Sequence, residues 1–275
     1  MMPPSDRITT INTPVFRVAQ LTIYPIKSLG GVNQTEWLAQ KAGFALDRRW
    51  MLIDKENHFL TQRNWAGMAL FNLDILADEI QVNHALSSTV FHIKEEVGPV
   101  IVAKIWDDAA FTREVNPIIS EWFSDHLHQS VRLVKLIHEE ARKHPSSVLQ
   151  SEVPVSLADS YPYLLTGTKS LENLNDQLSQ KIAMNRFRPN IVVTTTQAHE
   201  EDQWQNFSIG DAAFRYVKPC GRCNVITIDQ ETGLTDNEPL KILNKYRKQD
   251  QSVCFGSHLV CLKEGLVKTG DALLF

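Results

Sequence analysis

The stretch Val217-Lys218-Pro219-Cys220-Gly221-Arg222-Cys223-Asn224-Val225-Ile226-Thr227-Ile228-Asp229 decides how the rest of the chain is read. Two of the four cysteines stand in it as C-x-x-C. Ala213 to Val217 alternates like a strand leading in, and Val225 to Ile228 reads as a strand leading out. Arg215, Lys218 and Arg222 place positive charge beside the sulfurs, which favours the thiolate, the form that attacks electrophiles and binds metals. The Pro-Cys-Gly sequence predicts a tight turn holding a thiol at a rim and not in a core. A zinc half-site would need a second pair, and Cys254 and Cys261 have six residues between them with no histidine grouping to complete a set. A thioredoxin-type pair wants a helix after its first cysteine, whereas a strand is expected here. Two uses stay open: one soft ligand for a transition metal or metal cofactor, or two small residues packing a turn.

Working outward, 275 residues suffice for one large or two ordinary domains with real cores. The 28 basic and 32 acidic residues, net −4, argue against a general nucleic-acid binder. No apolar run reaches the ~18–20 residues that span a bilayer, and Met1 to Thr13 lacks the apolar centre of a secretory signal. Four scattered cysteines do not make a disulfide scaffold, so a reducing, cytoplasmic setting is expected.

Residues 1–16 read as a flexible leader. Short strand-like runs follow from Val18 to Ala103, at Gln34 to Leu38, Arg49 to Ile53, His58 to Leu60, Ala69 to Leu76, Glu79 to Val82 and Val90 to Ile93, with turn residues between. They predict a small closed or half-closed antiparallel sheet. Asn116-Pro117 has the chemistry of a helix cap and first turn, followed by an apolar stripe through Leu127. The polar, proline-containing segment His138 to Leu157 is taken as the domain boundary, giving residues 17–145 and 146–275. The second half opens with Asp159-Ser160-Tyr161-Pro162 and a strand at Tyr163, then a helix carrying Leu171, Leu174 and Leu178. A buried strand at Ile191 to Val193, turns at Gly210-Asp211 and Gly233, and a helix from Pro239 to Tyr246 complete it. The fold class expected is α+β, mostly β, with a few peripheral helices.

Cationic residues recur at strand ends. Lys27-Ser28 follows a strand in a glycine-containing loop, without the Walker pattern. Asp47-Arg48-Arg49-Trp50 sits beside another strand, and Arg186 and Arg188 precede the buried one, where guanidinium forks suit phosphate or carboxylate. Taken alone, each also reads as solvated surface, and Lys27 more readily so. The nine histidines form no metal-binding spacing, and neither a G-x-S-x-G elbow nor a G-x-G-x-x-G turn occurs.

Taken together, Ile23-Tyr24-Pro25-Ile26-Lys27-Ser28, Asp47-Arg48-Arg49-Trp50, Phe187-Arg188-Pro189-Asn190 and Cys220-Gly221-Arg222-Cys223, with Asp229-x-x-Thr232-Gly233, resemble the MOSC-domain proteins that carry an N-terminal β-barrel companion. Within that family the likeness is to bacterial relatives of the mitochondrial amidoxime-reducing component and to the C-terminal part of molybdenum cofactor sulfurase. The resemblance implies an N-terminal β-barrel-like domain followed by a MOSC β-barrel, and a molybdenum–molybdopterin site between them. It implies that Cys223 is the metal ligand and catalytic residue. It assigns Lys27, Ser28, Arg48, Arg188, Asn190, Gly221 and Arg222 to the pterin and its phosphate, with Asp159, Ser160 and Tyr161 as a further contacting loop. The implied activity is reduction of N-hydroxylated or N-oxygenated small molecules. A separate electron donor, a ferredoxin-like protein or a flavoprotein or cytochrome, is expected because no cysteine grouping here suits an iron–sulfur cluster. The alternative is a non-catalytic carrier of molybdopterin or sulfur.

Overall fold

The computed structural model describes residues 15–138 and 142–275. Residues 1–14 of the expected leader lie outside the described residues. Phe16, its last residue, is buried, with its ring against Trp204 and Phe275.

The protein is mostly β, with three α-helices among the described residues: α1 (Pro117–Leu127), α2 (Thr168–Asn175) and α3 (Glu238–Tyr246). A nine-stranded sheet runs from Val32–Gln34 through Val18–Ile23, Ile191–Val193, Tyr163–Gly167, Ser252–Lys263, Ala212–Gly221 and Asn206–Ile209 to Leu273–Leu274, with Lys248–Gln249 alongside Ser252–Lys263. Its last edge returns to its beginning: Leu273 N donates to Phe16 O at 2.9 Å, and Val18 N to Asp271 O at 2.9 Å. The inner face is a continuous apolar cluster that includes Leu21, Ile23, Phe44, Tyr163, Ile191 and Phe214. The sheet therefore draws strands from both sides of position 145. It can do so because Val18–Ile23 alternates apolar residues that need the same core as the later strands.

The intervening residues form smaller open sheets. Trp50–Ile53, Arg132–Leu136, Asp108–Glu114 and Val97–Ile105 make a four-stranded one, and Asn72–Leu76, Glu79–His84 and Ser87–His92 a three-stranded one. Trp50, Phe71, Phe91, Phe123 and Leu133 pack in one buried cluster that joins these sheets and α1. Helix α1 starts as its sequence requires: Asn116 Oδ1 accepts from Ile118 N at 2.8 Å and Pro117 fills the first position. His128 closes it in the left-handed region, at φ 53°.

Several local expectations are corrected. The polar segment read as a boundary contains a hairpin, Lys143–Ser146 with Ser151–Pro154. His58 to Leu60 makes isolated bridges and no strand. Pro219-Cys220-Gly221 is not a turn: the strand Ala212–Gly221 continues through it against Ser252–Lys263, with irregular register at Pro219/Gly221. Proline is tolerated there because the neighbouring strand Asn206–Ile209 pairs only as far as Arg215, so Pro219 lies on an edge. Val225 to Ile228 is not a strand either. Asn224–Thr227 is a 3-10 turn that drives Ile226 into a cluster with Phe187, Leu243 and Phe255. A four-residue apolar run fits both structures by periodicity, and burial beside α3 selects the turn.

Candidate functional site

The edge strand and the 3-10 turn deliver two thiols to different depths. Arg222 N extends the ladder by donating to Val253 O at 2.7 Å, and Cys223 then occupies the N-cap of the turn. Cys220 is buried, while Cys223 is half-exposed. Both line one pocket of about 600 Å³ between the nine-stranded sheet and the loops around Lys27, Thr61 and Asp159.

Every residue assigned from the resemblance lines this pocket. Lys27, Ser28 and Arg48 come from the N-terminal loops. Asp159, Ser160 and Tyr161 come from the loop before Tyr163–Gly167. Arg188, Asn190, Gly221, Arg222 and Cys223 complete it. Of the two arginines before the buried strand, Arg188 lines the pocket, while Arg186 pairs with the Asp229 carboxylate at 2.8 Å. That pairing braces the Asp229–Gly233 loop, whose Asp229 Oδ1 accepts from Glu231 N, Thr232 N and Thr232 Oγ1.

Asn190 is the hub. It is 1 % exposed; its Nδ2 donates to Thr22 O and Asp47 Oδ1, and its Oδ1 accepts from Arg48 Nη1 and Leu164 N. Asp47, fully buried, ion-pairs with Arg48 and accepts from Tyr24 N at 2.8 Å. Tyr24 lies between two guanidinium groups, Arg48 at 4.9 Å and Arg188 at 4.3 Å from its ring centre. Burial pushes its phenol up to about 12 despite both arginines. Arg188 Nη1 donates to Leu29 O at 2.7 Å, while burial draws its guanidinium down to about 10.

Three of these residues hold the left-handed backbone conformation that side chains disfavour: Ser28 at φ 68°, Arg48 at 52° and Arg188 at 55°. Each costs roughly 1–2 kcal/mol, and such strain concentrates where geometry serves a ligand. The unpaired donors point the same way. Arg188 Nη2 and Arg222 Nε are shielded from solvent and have no acceptor among the described residues. Buried guanidinium N–H groups without partners are costly, and an anionic guest would satisfy them.

The charge balance agrees. Lys27, Arg48, Arg63, Arg188, Lys218 and Arg222 line the pocket, against the carboxylates of Asp159 and Asp250. Lys27 donates to Leu157 O at 2.8 Å and ion-pairs with Asp159. Burial lowers the Lys27 pKa, with Asp159 acting in the opposite direction. Burial would raise Asp159, but Lys27 and Arg63 outweigh it and hold the carboxyl below its usual range. Cys220 is likewise pulled two ways. Burial would raise its thiol, yet Arg222, whose Nη1 donates to Sγ at 3.0 Å, together with His258 brings it to about 6.

Arg63 and Trp106 carry no sequence signal and escaped the reading above. Arg63 Nε donates to Cys223 Sγ at 3.3 Å, and Trp106 stacks over the guanidinium at 4.3 Å. Among the described residues no group of three or more His, Cys, Asp or Glu could hold a metal ion, so a metal bound at Cys223 would need most of its ligands from elsewhere. A soft thiolate beside a cradle for an anion suits a metal carried by a phosphorylated, sulfur-donating cofactor.

No helix among the described residues is long and apolar enough to cross a membrane. The model of the MOSC N-terminal beta barrel domain matches residues 15–130, and that of the MOSC domain matches residues 152–274. The chain is similar to mitochondrial amidoxime reducing component 2 of Rattus norvegicus, 32% identical over 92% of this chain and 81% of that protein. It is 29% identical to mitochondrial amidoxime-reducing component 1 of Mus musculus over 92% of this chain and 80% of the relative. Molybdenum cofactor sulfurase of Arabidopsis thaliana is 26% identical over 94% of this chain, matching 34% of that longer protein. With both domain models in order and relatives aligned along nearly its whole length, the chain belongs to the MOSC-domain family that includes the amidoxime-reducing components.

Proposed function

We propose that the pocket binds a molybdenum–molybdopterin cofactor and that the protein reduces N-hydroxylated or related N-oxygenated small molecules. The observation that carries this reading is the pair of shielded arginine donors, unpartnered among the described residues, on two side chains that line a cation-rich pocket also holding Cys223. The names of the relatives support the reaction class.

In this reading Lys27, Ser28, Arg48, Arg188, Asn190 and Arg222 hold the phosphate and pterin, and Cys223 is the protein's ligand to the metal. Asp159, Ser160, Tyr161 and Gly221 form the remaining walls. Bound there, the cofactor supplies the two-electron, oxygen-accepting chemistry that cleavage of an N–O bond requires. The protein's own contribution is positional. Asn190 and Asp47 fix Arg48, and Leu29 O fixes Arg188, so the cationic cradle is set before any ligand arrives. Asp159 stays ionised across the neutral range and anchors Lys27 and Arg63; it is not the proton donor. Electrons come from a separate ferredoxin-like, flavoprotein or cytochrome partner, and the four free cysteines fit a reducing compartment such as the cytoplasm.

The test is turnover of an aromatic amidoxime by protein from a host that makes the cofactor, with a reconstituted one-electron donor. Wild type should reduce it, and Cys223→Ala should lose at least 10³-fold while keeping its melting transition. Full activity in Cys223→Ala would reject the assignment. Protein that carries molybdenum yet reduces no N-oxygenated compound would favour a carrier module.

A further inference from the structure

The sulfur of Cys223 accepts a hydrogen bond from a residue outside the set assigned to the cofactor, Arg63. Arg63 lies in the turn after Leu60, where its N–H donates to Thr61 Oγ1 at 3.3 Å and its carbonyl accepts from Asn224 Nδ2 at 3.2 Å. Its guanidinium is held on three sides. Nε donates to Cys223 Sγ at 3.3 Å, Nη2 pairs with Asp159 Oδ2 at 3.0 Å, and the plane lies under the Trp106 indole at 4.3 Å. Trp106 is itself fixed: Nε1–H donates to Asp159 Oδ1 at 3.2 Å, and the Phe59 ring meets it edge-on at 4.8 Å. Its backbone sits at φ 53°, an uncommon conformation for so bulky a residue. Arg222, although adjacent to Cys223 in sequence, spends its Nη1 on Cys220. The two arginines thus serve two different sulfurs.

We propose that Arg63, clamped by Trp106 and Asp159, is a positioning residue that hydrogen-bonds the metal-ligating sulfur of Cys223 and raises the reduction potential of the bound metal. The inference rests on the cofactor reading above. A thiolate that accepts an N–H bond donates less charge to its metal, and a fixed cation nearby favours the reduced state further. Trp106 acts through Arg63: stacking and the shared carboxylate leave the guanidinium one orientation.

The experiment uses holoprotein from a cofactor-competent host, comparing the parent with Arg63→Gln, Arg63→Lys and Trp106→Ala. Molybdenum and released pterin per chain, the melting transition, and a potentiometric titration of the metal's paramagnetic state are read for each. Arg63→Gln should keep its cofactor within about twofold while its potential falls. At fixed ambient potential the reduced-to-oxidised ratio should drop about tenfold, equivalent to about 59 mV for a one-electron couple. Trp106→Ala should shift the same way by less, and Arg63→Lys should recover part of the loss.

An unchanged potential in fully loaded Arg63→Gln would overturn the inference and leave the cofactor reading standing. Loss of pterin from Arg63→Gln would also overturn it, because Arg63 would then be a holder of the cofactor. Should Arg63→Gln fail to fold, parental potentials in both Arg63→Lys and Trp106→Ala would overturn it. A parent protein without molybdenum would remove the cofactor reading and the inference together, and that result is read before any variant is made.

Discussion

Replacing Asn190 by alanine tests whether the cationic cradle is built around one amide. The side chain makes four hydrogen bonds, two of them to the charged partners Asp47 and Arg48. Alanine leaves Leu164 N and Thr22 O short of one partner each and strips one contact from a carboxylate with no solvent access. Each abandoned buried group costs about 1–3 kcal/mol. Asp47 keeps Tyr24 N and Arg48, so the losses are not fully additive. A net destabilisation of about 3–4 kcal/mol is expected, which at roughly 2–4 °C per kcal/mol lowers Tm by about 6–16 °C. Asn190→Asp should cost more, because it sets a second carboxylate where Nδ2 now donates to Asp47 Oδ1 at 3.1 Å. The assay is urea unfolding followed by tryptophan fluorescence and far-ultraviolet circular dichroism, with coincident transitions as the check on two-state behaviour. A loss below about 1 kcal/mol for alanine, or aspartate better tolerated than alanine, would refute the hub.

Three further expectations follow from the geometry. In Cys223→Ser, thiolate absorbance should rise with a midpoint near pH 6 from Cys220 alone, since burial raises Cys254 and pushes Cys261 up to about 11; a first midpoint near 9 would contradict this. Because the folded value of Cys220 lies below its ordinary 9.0, its stabilising contribution is complete above about pH 9 and is lost as pH falls through 6. Burial, helped by Arg247, lowers His199 to about 4, so the folded protein binds its proton later than the unfolded chain does. Stability should therefore decline from pH 6.5 towards 4, and the urea midpoint of His199→Gln should be flatter over that range than wild type; equal slopes would refute it. Gly256→Ala should cost about 2 kcal/mol or more in urea unfolding, since φ is +76° and the added methyl would lie 2.8 Å from Leu165 O; a neutral substitution would show that the strand relaxes.

What could be read from the chain depended on how far each signal reaches. Helix α1 was legible because its cap and first-turn proline are adjacent letters. The family motifs made Lys27, Arg48, Arg188 and Cys223 legible as candidates, and folding brings them to one pocket although up to 196 positions separate them. The hairpin Lys143–Ser146 with Ser151–Pro154 was hidden by its polar, proline-containing composition, which local reading assigns to loops. The Pro-Cys-Gly run was expected to turn and hold its thiol at a rim, but Pro219 sits on an edge where the strand can continue, so Cys220 is buried while Cys223 stays half-exposed. Arg63 was illegible for a different reason. An arginine in a polar turn has the composition of a solvated surface, and its sulfur partner stands 160 residues away. Trp106 gave no better sign, since its indole is placed by Asp159 and Phe59 from other elements.

The claim on which the account turns is that the pocket formed by Lys27, Arg48, Arg188, Arg222 and the thiol of Cys223 holds a molybdenum-bearing pterin. Elemental analysis together with pterin fluorescence after acid release, on protein purified from a cofactor-competent host, tests it directly. About one molybdenum and one pterin per chain are predicted for wild type, with the metal falling more than the pterin in Cys223→Ala. Wild-type protein carrying neither would contradict it.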